Sequence, residues 1–298
     1  MALKLNGTIA IPDSVGSSFD HGAFDPKTRR VFVAHTGRDR VEVIDHDTGK
    51  HLASLPGFKE AAGVAADDGV VLVTNRGAAS MAVVDALSLE TRAVFKTGPK
   101  PNGVAIAARR SFAIAASIGD EAERPKLHVI SFDGLQQYAV ELPGAPRWCV
   151  TDADAKRVFL AIREPSMVLV AQLPDLTNIE HWKIRAGGAH GLEIDHRRGR
   201  LYVACDDKVL TEIDIGSGEV SNEWPIAGAP DVTFLNPTTG LVHVAIGRPG
   251  LVESVDPRTG TSVQTMTGPG AHTTAIVAPD RLYVFSPSHG AALVFADV

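Results

Sequence analysis

The chain has 298 residues, 44% of them hydrophobic and 21% charged, a balance that excludes a disordered polymer. The formal charge of -6, with acids and bases interspersed, excludes a basic stripe for a phosphate backbone, so nucleic acid is not an expected partner. Two cysteines, Cys149 and Cys205, are too few for a disulfide framework and fit a reducing compartment. No stretch approaches a membrane span and the N-terminus lacks a signal-peptide pattern, so the expectation is a cytoplasmic protein with no membrane partner.

Taken in chain order, the first predicted element is a strand, Gly7-Thr8-Ile9-Ala10-Ile11-Pro12, with no partner nearby in the sequence. A phrase then recurs seven times: a turn, a polar or small residue, a Gly-Val-Ala-like alternation, a second turn, and a Leu-Tyr-Val-Ala-like run. Its copies begin at Asp20, Ala62, Asn102, Arg147, His190, Asp231 and His272, spaced by about 40 to 45 residues, the period of one four-stranded propeller blade. Second strands such as Val31-Phe32-Val33-Ala34 and Leu201-Tyr202-Val203-Ala204 follow each start. Third strands such as Val41-Glu42-Val43-Ile44-Asp45 alternate as half-buried strands do, and turns such as Asp47-Thr48-Gly49 lead to a fourth. The last copy stops at Ala292-Leu293-Val294-Phe295-Ala296 without a fourth strand. The orphan N-terminal strand is therefore expected to complete it, removing an open sheet edge. The fold class is all-β, a seven-bladed β-propeller formed by residues 1–298 as one domain, its ring closed by the N-terminal strand.

The repeat resembles that of the YVTN-type propellers, whose signature has the same Gly-Val-Ala-Val-Asp-Pro and Leu-Tyr-Val-Ala-Asn phrases, over essentially the full chain. It is also similar to the lactonase-like propellers of the 6-phosphogluconolactonase type in Pro101-Asn102-Gly103 and Gly144-Ala145-Pro146-Arg147-Trp148, with Trp148 where that family has His. The resemblance implies a seven-bladed ring and a lactone-type or related ring substrate. Fold likeness does not by itself assign chemistry.

In such a ring the residue opening each inner strand stands at the channel mouth. A position dictated by the fold would be small or apolar, yet six of the seven are polar or ionisable: Asp20, Asn102, Arg147, His190, Asp231 and His272, with His21 beside the first. Loops between second and third strands are expected to add His35, Asn75, Arg76, Glu164 and His289 to a site for a polar small molecule. His190, Asp231, His272 and Asp20 are ligand types for a divalent metal, which would act as a Lewis acid or activate water. Without metal, His21, His190 and His272 could exchange protons, oriented by Asp231, while Arg147 binds a substrate carboxylate or a developing oxyanion. The alternatives are a rim salt bridge from Arg147 to Glu164, and Trp148 as channel filler rather than substrate platform. No nucleotide or flavin is indicated, because neither a dinucleotide-binding fingerprint nor a phosphate-binding loop occurs. The leading expectation is a hydrolase or lyase acting on a polar ester, lactone or related ring compound. A ligand- or protein-binding scaffold and an isomerase or dehydratase are the alternatives, and oligomeric state is undetermined.

Overall fold

A computed structural model describes residues 3–107, 111–277 and 281–296. They form seven sheets of four antiparallel strands each, which we number as blades one to seven in chain order. Blade one is Gly22–Asp25, Arg30–His35, Arg40–Asp45 and Lys50–Pro56, and the inner strands of the next six are Ala61–Asp67, Pro101–Ala107, Pro146–Thr151, Ala189–Asp195, Thr233–Leu235 and Thr273–Val277. The N-terminal strand, Lys4–Ala10, pairs antiparallel with Ala291–Ala296 and is the fourth strand of blade seven, with Thr8 opposite Leu293 and Ile9 opposite Ala292. The first and last described strands thus lie in one sheet, and the outer side of the Ala291–Ala296 strand is paired.

The sequence pattern explains the layering. Second strands are covered on both faces by neighbouring blades, so they read as unbroken apolar runs: Val31 to Ala34, Val158 to Ile162 and Leu201 to Cys205 are wholly buried. Phe32, Phe159, Tyr202, Tyr283 and Phe285 are the largest of these side chains, and each stabilises the packed sheets by roughly 1.5–3 kcal/mol relative to exposure. Fourth strands face solvent and alternate, as Thr91–Lys96 does. Third-to-fourth turns close on an Asp whose carboxylate accepts backbone N–H bonds, as Asp45 does from Thr48 at 2.7 Å and Asp214 from Ser217 at 3.0 Å.

Inner strands must approach one another closely around the channel, and glycine permits it. A Cβ on Gly63 would sit 2.2 Å from the Asn102 carbonyl, and one on Gly103 2.2 Å from the Arg147 carbonyl. The same register position is His21 in blade one and Trp148 in blade four, and these two rings, from blades that are not neighbours, meet and stack with centroids 3.8 Å apart and planes 2° from parallel. Both rings are buried, one residue below the mouth. Beneath them lies a cavity of about 560 Å³ lined by Ala23, Ala65, Ala105, Val150, Glu193 and Phe234, among others. Among the described residues no helix is long and apolar enough to cross a membrane.

Candidate active site at the channel mouth

Each mouth residue is fixed by the backbone of its own blade and its neighbour. Asp20 donates its N–H to the Ala34 carbonyl, Asp231 donates its own to Ala245, and the His21 N–H reaches the Ala62 carbonyl of the next blade at 3.2 Å. These bonds tie the start of an inner strand to the second strand of its own blade or to the next blade.

Two charged groups form there. In the first, Asp20 is almost buried, its Oδ1 2.5 Å from His21 Nδ1 and its Oδ2 2.8 Å from Arg76 Nη2. Arg76 also donates to the buried Asn102 Oδ1. Burial alone would raise the Asp20 pKa, but His21, Arg76 and His272 outweigh it and hold the carboxyl well below the usual range. In the second group, Asp231 faces two imidazoles. Its Oδ2 is 2.6 Å from His272 Nδ1 and its Oδ1 is 3.6 Å from His190 Nε2. The His272 contact is short, yet Nδ1 has no partner in hydrogen-bonding alignment, so its attraction is that of an ion pair and not of a linear bond. Burial pushes the His272 pKa down, but Asp231 and then Asp20 push it up further, and the net shift is upward. His190 contacts Asp206 through Nδ1 at 3.1 Å, and Asp206 is also paired with Arg163 at 2.6 Å.

Arg147 stands apart. Its Nε is buried with no hydrogen-bond partner. Burial and the charge of Arg163 lower its pKa, opposed by Asp231 and Asp206, so it is a half-buried cation within electrostatic reach of both carboxylates. A small pocket beside this cluster, about 410 Å³, is lined by Asp231, Arg248 and His272.

The mouth therefore gathers Asp20, His21, Arg76, Asn102, Arg147, His190, Asp231 and His272. Four other expected members lie elsewhere. His35 is completely buried inside blade one, with Nδ1 2.6 Å from Glu42, Nε2 2.9 Å from Ser17 Oγ and its ring stacked on Phe19. Asn75 is buried and donates to Ser80 Oγ. Both expectations are corrected for one reason: the last residue of a second strand points between blades, not up from the loop. Glu164 is exposed and does not meet Arg147; the rim pair in this region is Arg163 with Asp206. His289 is bound within its own turn, 2.8 Å from Ser286 Oγ. Trp148 is channel filler by position, though its face carries His21.

As a metal site the set does not fit. Among the described residues no three His, Cys, Asp or Glu side chains are arranged to hold an ion, because Asp231 is engaged with both imidazoles and Asp20 with His21 and Arg76. Asp206, in the loop after the second strand of blade five, also belongs to the mouth group and meets His190 and Arg163. It follows a second strand as His35 and Asn75 end theirs, but one position later, which turns it toward the mouth.

No protein-family model matches the sequence, and no curated protein does. Solved structures that it resembles include a streptogramin B lyase, with TM-score 0.80 and 11% identity over 98% of this chain and 96% of that one. The Neurospora crassa Pan2 WD40 domain gives TM-score 0.78 and 11% identity over 99% and 95%. Hydrazine synthase of Kuenenia stuttgartiensis gives TM-score 0.67 and 12% identity over 84% and 83%. At such identities the likeness shows the fold, a seven-bladed β-propeller, which hosts both enzymes and non-catalytic modules.

Proposed function

We propose that the channel mouth is an acid–base site for a small molecule carrying a carboxylate or similar anion, and that the protein is a hydrolase or lyase acting on a polar ester, lactone or related ring. The observation that supports this reading is the meeting of Asp231 with two imidazoles opposite Arg147, a cation with a buried Nε that no protein group satisfies. A half-buried guanidinium whose Nε has no acceptor gains from a ligand anion, and its planar donors suit a carboxylate.

The two histidines differ in ways that suit complementary roles. His190, with Nδ1 turned to Asp206 and Nε2 3.6 Å from Asp231, is the imidazole assigned to take a proton, which it passes toward the Asp231 side of the cluster. His272, its pKa raised, carries its charge to higher pH and presents Nε2 as the donor. In hydrolysis His190 removes a proton from water as it attacks the carbonyl, Arg147 stabilises the oxyanion, and His272 protonates the departing oxygen. In elimination His190 removes the proton from carbon next to the carbonyl, and His272 again protonates the oxygen that leaves. Both reactions need the same two transfers, and the resemblance of the repeat to lactonase-like propellers agrees with either.

The test is turnover of a panel of lactones and esters, with acid release and new ultraviolet absorbance followed in parallel. His190→Ala and His272→Ala should each lower kcat/KM on the best substrate by at least ~10²-fold. Full activity in both variants overturns the reading. Absorbance without water incorporation distinguishes a lyase from a hydrolase, and element analysis before and after chelator treatment distinguishes this proton-transfer scheme from a metal-assisted one.

A further inference from the structure

The channel holds a second chemically distinct compartment below the His21–Trp148 stack. One register position along the inner strands, opposite Phe32, Leu72, Ile114, Phe159, Tyr202, His243 and Tyr283, is Ala23, Ala65, Ala105, Val150, Glu193, Phe234 and Ala275 in successive blades. Six of the seven residues are small or apolar. The exception is Glu193 in blade five. Ala23, Ala65 and Ala105 leave the space of the cavity, and Glu193 is part of its wall.

The lining has a clear sign. Phe24, Trp148 and Phe234 supply aromatic surface, the acids are Asp67 and Glu193, and no Lys or Arg lines the cavity among the described residues. Glu193 Oε1 accepts the N–H of Ile194 at 2.8 Å, and the carboxyl is also bonded by the Leu235 N–H, so it is held in place without a cationic partner. Burial pushes its pKa up to about 7, against those two N–H bonds, with Asp195 adding to the rise. Of the other titratable groups on the strands packed around it, burial keeps the Cys149 thiol and the Tyr202 phenol neutral. Arg200 is engaged with Asp214 and Glu212. His196 is the remaining lining group, with its pKa lowered by burial.

We infer that this lower compartment binds a small apolar amine as its ammonium ion, with Glu193 as counter-ion and Phe24, Phe234 and Trp148 around the apolar body. An aromatic wall attracts a cation, the half-buried Glu193 carboxylate has no cationic partner among the described residues, and about 560 Å³ is the size of an ordinary small-molecule pocket, roughly 300–1,000 Å³. The inference is independent of the chemistry at the mouth, because the stack lies between the two.

Benzylammonium, benzyl alcohol and phenylacetate, which share one ring and differ in charge, are titrated calorimetrically into the whole protein at pH 6 and pH 8. Benzylammonium should bind saturably and more tightly at pH 8, and at least tenfold more tightly than either control. Glu193→Gln should remove that preference and its pH dependence, Ala65→Leu should weaken binding by filling the cavity, and His272→Ala should leave it unchanged. Equal binding by Glu193→Gln, equal binding of benzyl alcohol, loss of binding in His272→Ala, or no saturable binding each overturns the assignment. Should Glu193→Gln prove poorly folded by circular dichroism, Ala65→Leu and the charge series decide.

Discussion

The imidazole of His21 lies flat on the indole of Trp148, 3.8 Å between centroids, joining blades one and four across the axis of the ring. Five blades have no comparable ring at this level, and the pair lies between the charged mouth and the apolar lower compartment. Trp148→Ala should therefore cost about 3–5 kcal/mol, as for other buried Trp truncations, whereas Trp148→Phe should cost much less because a ring face remains for His21. Urea unfolding of the three proteins, read by circular dichroism, checks this. Similar midpoints for wild type and Trp148→Ala would show that the stack does not support the ring.

Asp231 is the group that raises the pKa of His272 against the opposite pull of burial. Asp231→Asn should bring the His272 titration, followed by NMR, down to or below the ordinary histidine value of about 6.5. The sign for stability follows. A histidine with a raised folded-state pKa favours the fold fully below its unfolded pKa, and that contribution is lost as pH rises through the folded value. The stability difference between wild type and Asp231→Asn should accordingly shrink between pH 6 and pH 9. A His272 titration unmoved by the substitution would remove Asp231 from this role.

Arg147 and Glu42 make opposite predictions about burial of charge. Arg147 has no partner for its Nε, so Arg147→Met should change stability by less than about 1 kcal/mol, or raise it, while increasing KM for an anionic substrate at least tenfold. Glu42 is fully buried and accepts from His35 at 2.6 Å, Arg40 at 2.6 Å, His51 at 2.8 Å and Ser54 at 2.5 Å. Removing it strands these partners, and Glu42→Ala should cost about 3–5 kcal/mol. Thermal unfolding of both variants gives the comparison, and a stability loss in Arg147→Met as large as in Glu42→Ala would contradict it.

The same network sets part of the acid limit of the fold. Burial opposes ionisation of Glu42, but His35, Ser54, His51 and Arg40 hold its pKa down to about 2. A carboxylate with a depressed folded-state pKa contributes stability above its unfolded value, near 4.5, and loses it as pH falls toward 2. At neutral pH the contribution is on the order of 3 kcal/mol, at about 1.4 kcal/mol per unit. Wild type should lose this increment relative to Glu42→Gln across that window, measurable as converging urea midpoints.

Glu193 has the reverse sign. Its folded pKa of about 7 lies above the ordinary 4.5, so ionisation in the fold is disfavoured and stability falls as pH rises between those values. Glu193→Gln should therefore match wild type near pH 4.5 and exceed it at pH 8 in melting temperature. Equal pH profiles would place the carboxyl in a more polar setting than its apolar wall provides.

The amino-acid sequence by itself determined the blade count, the order of strands and the closure of the ring. Those follow from period and patterning: Val31 to Ala34 must be covered on both faces, Thr91 to Lys96 must not, and the unpaired strand around Ile9 has one open edge to fill. It also made Asp20, Arg147, His190, Asp231 and His272 equivalent repeat positions, which is why they were expected around one mouth. What those side chains do to one another was decided only in three dimensions. Repeat position fixes where a Cα stands and leaves open which neighbour a side chain reaches, so nothing in the spacing distinguished His35, turned inward to Glu42, from Asp206, turned outward to His190. Contacts across the ring, such as His21 with Trp148, join residues 127 positions apart whose only relation is that both replace a glycine. Glu193 became legible in the same way, as the single acid at a level that six other blades keep apolar, once the register had shown which positions are equivalent.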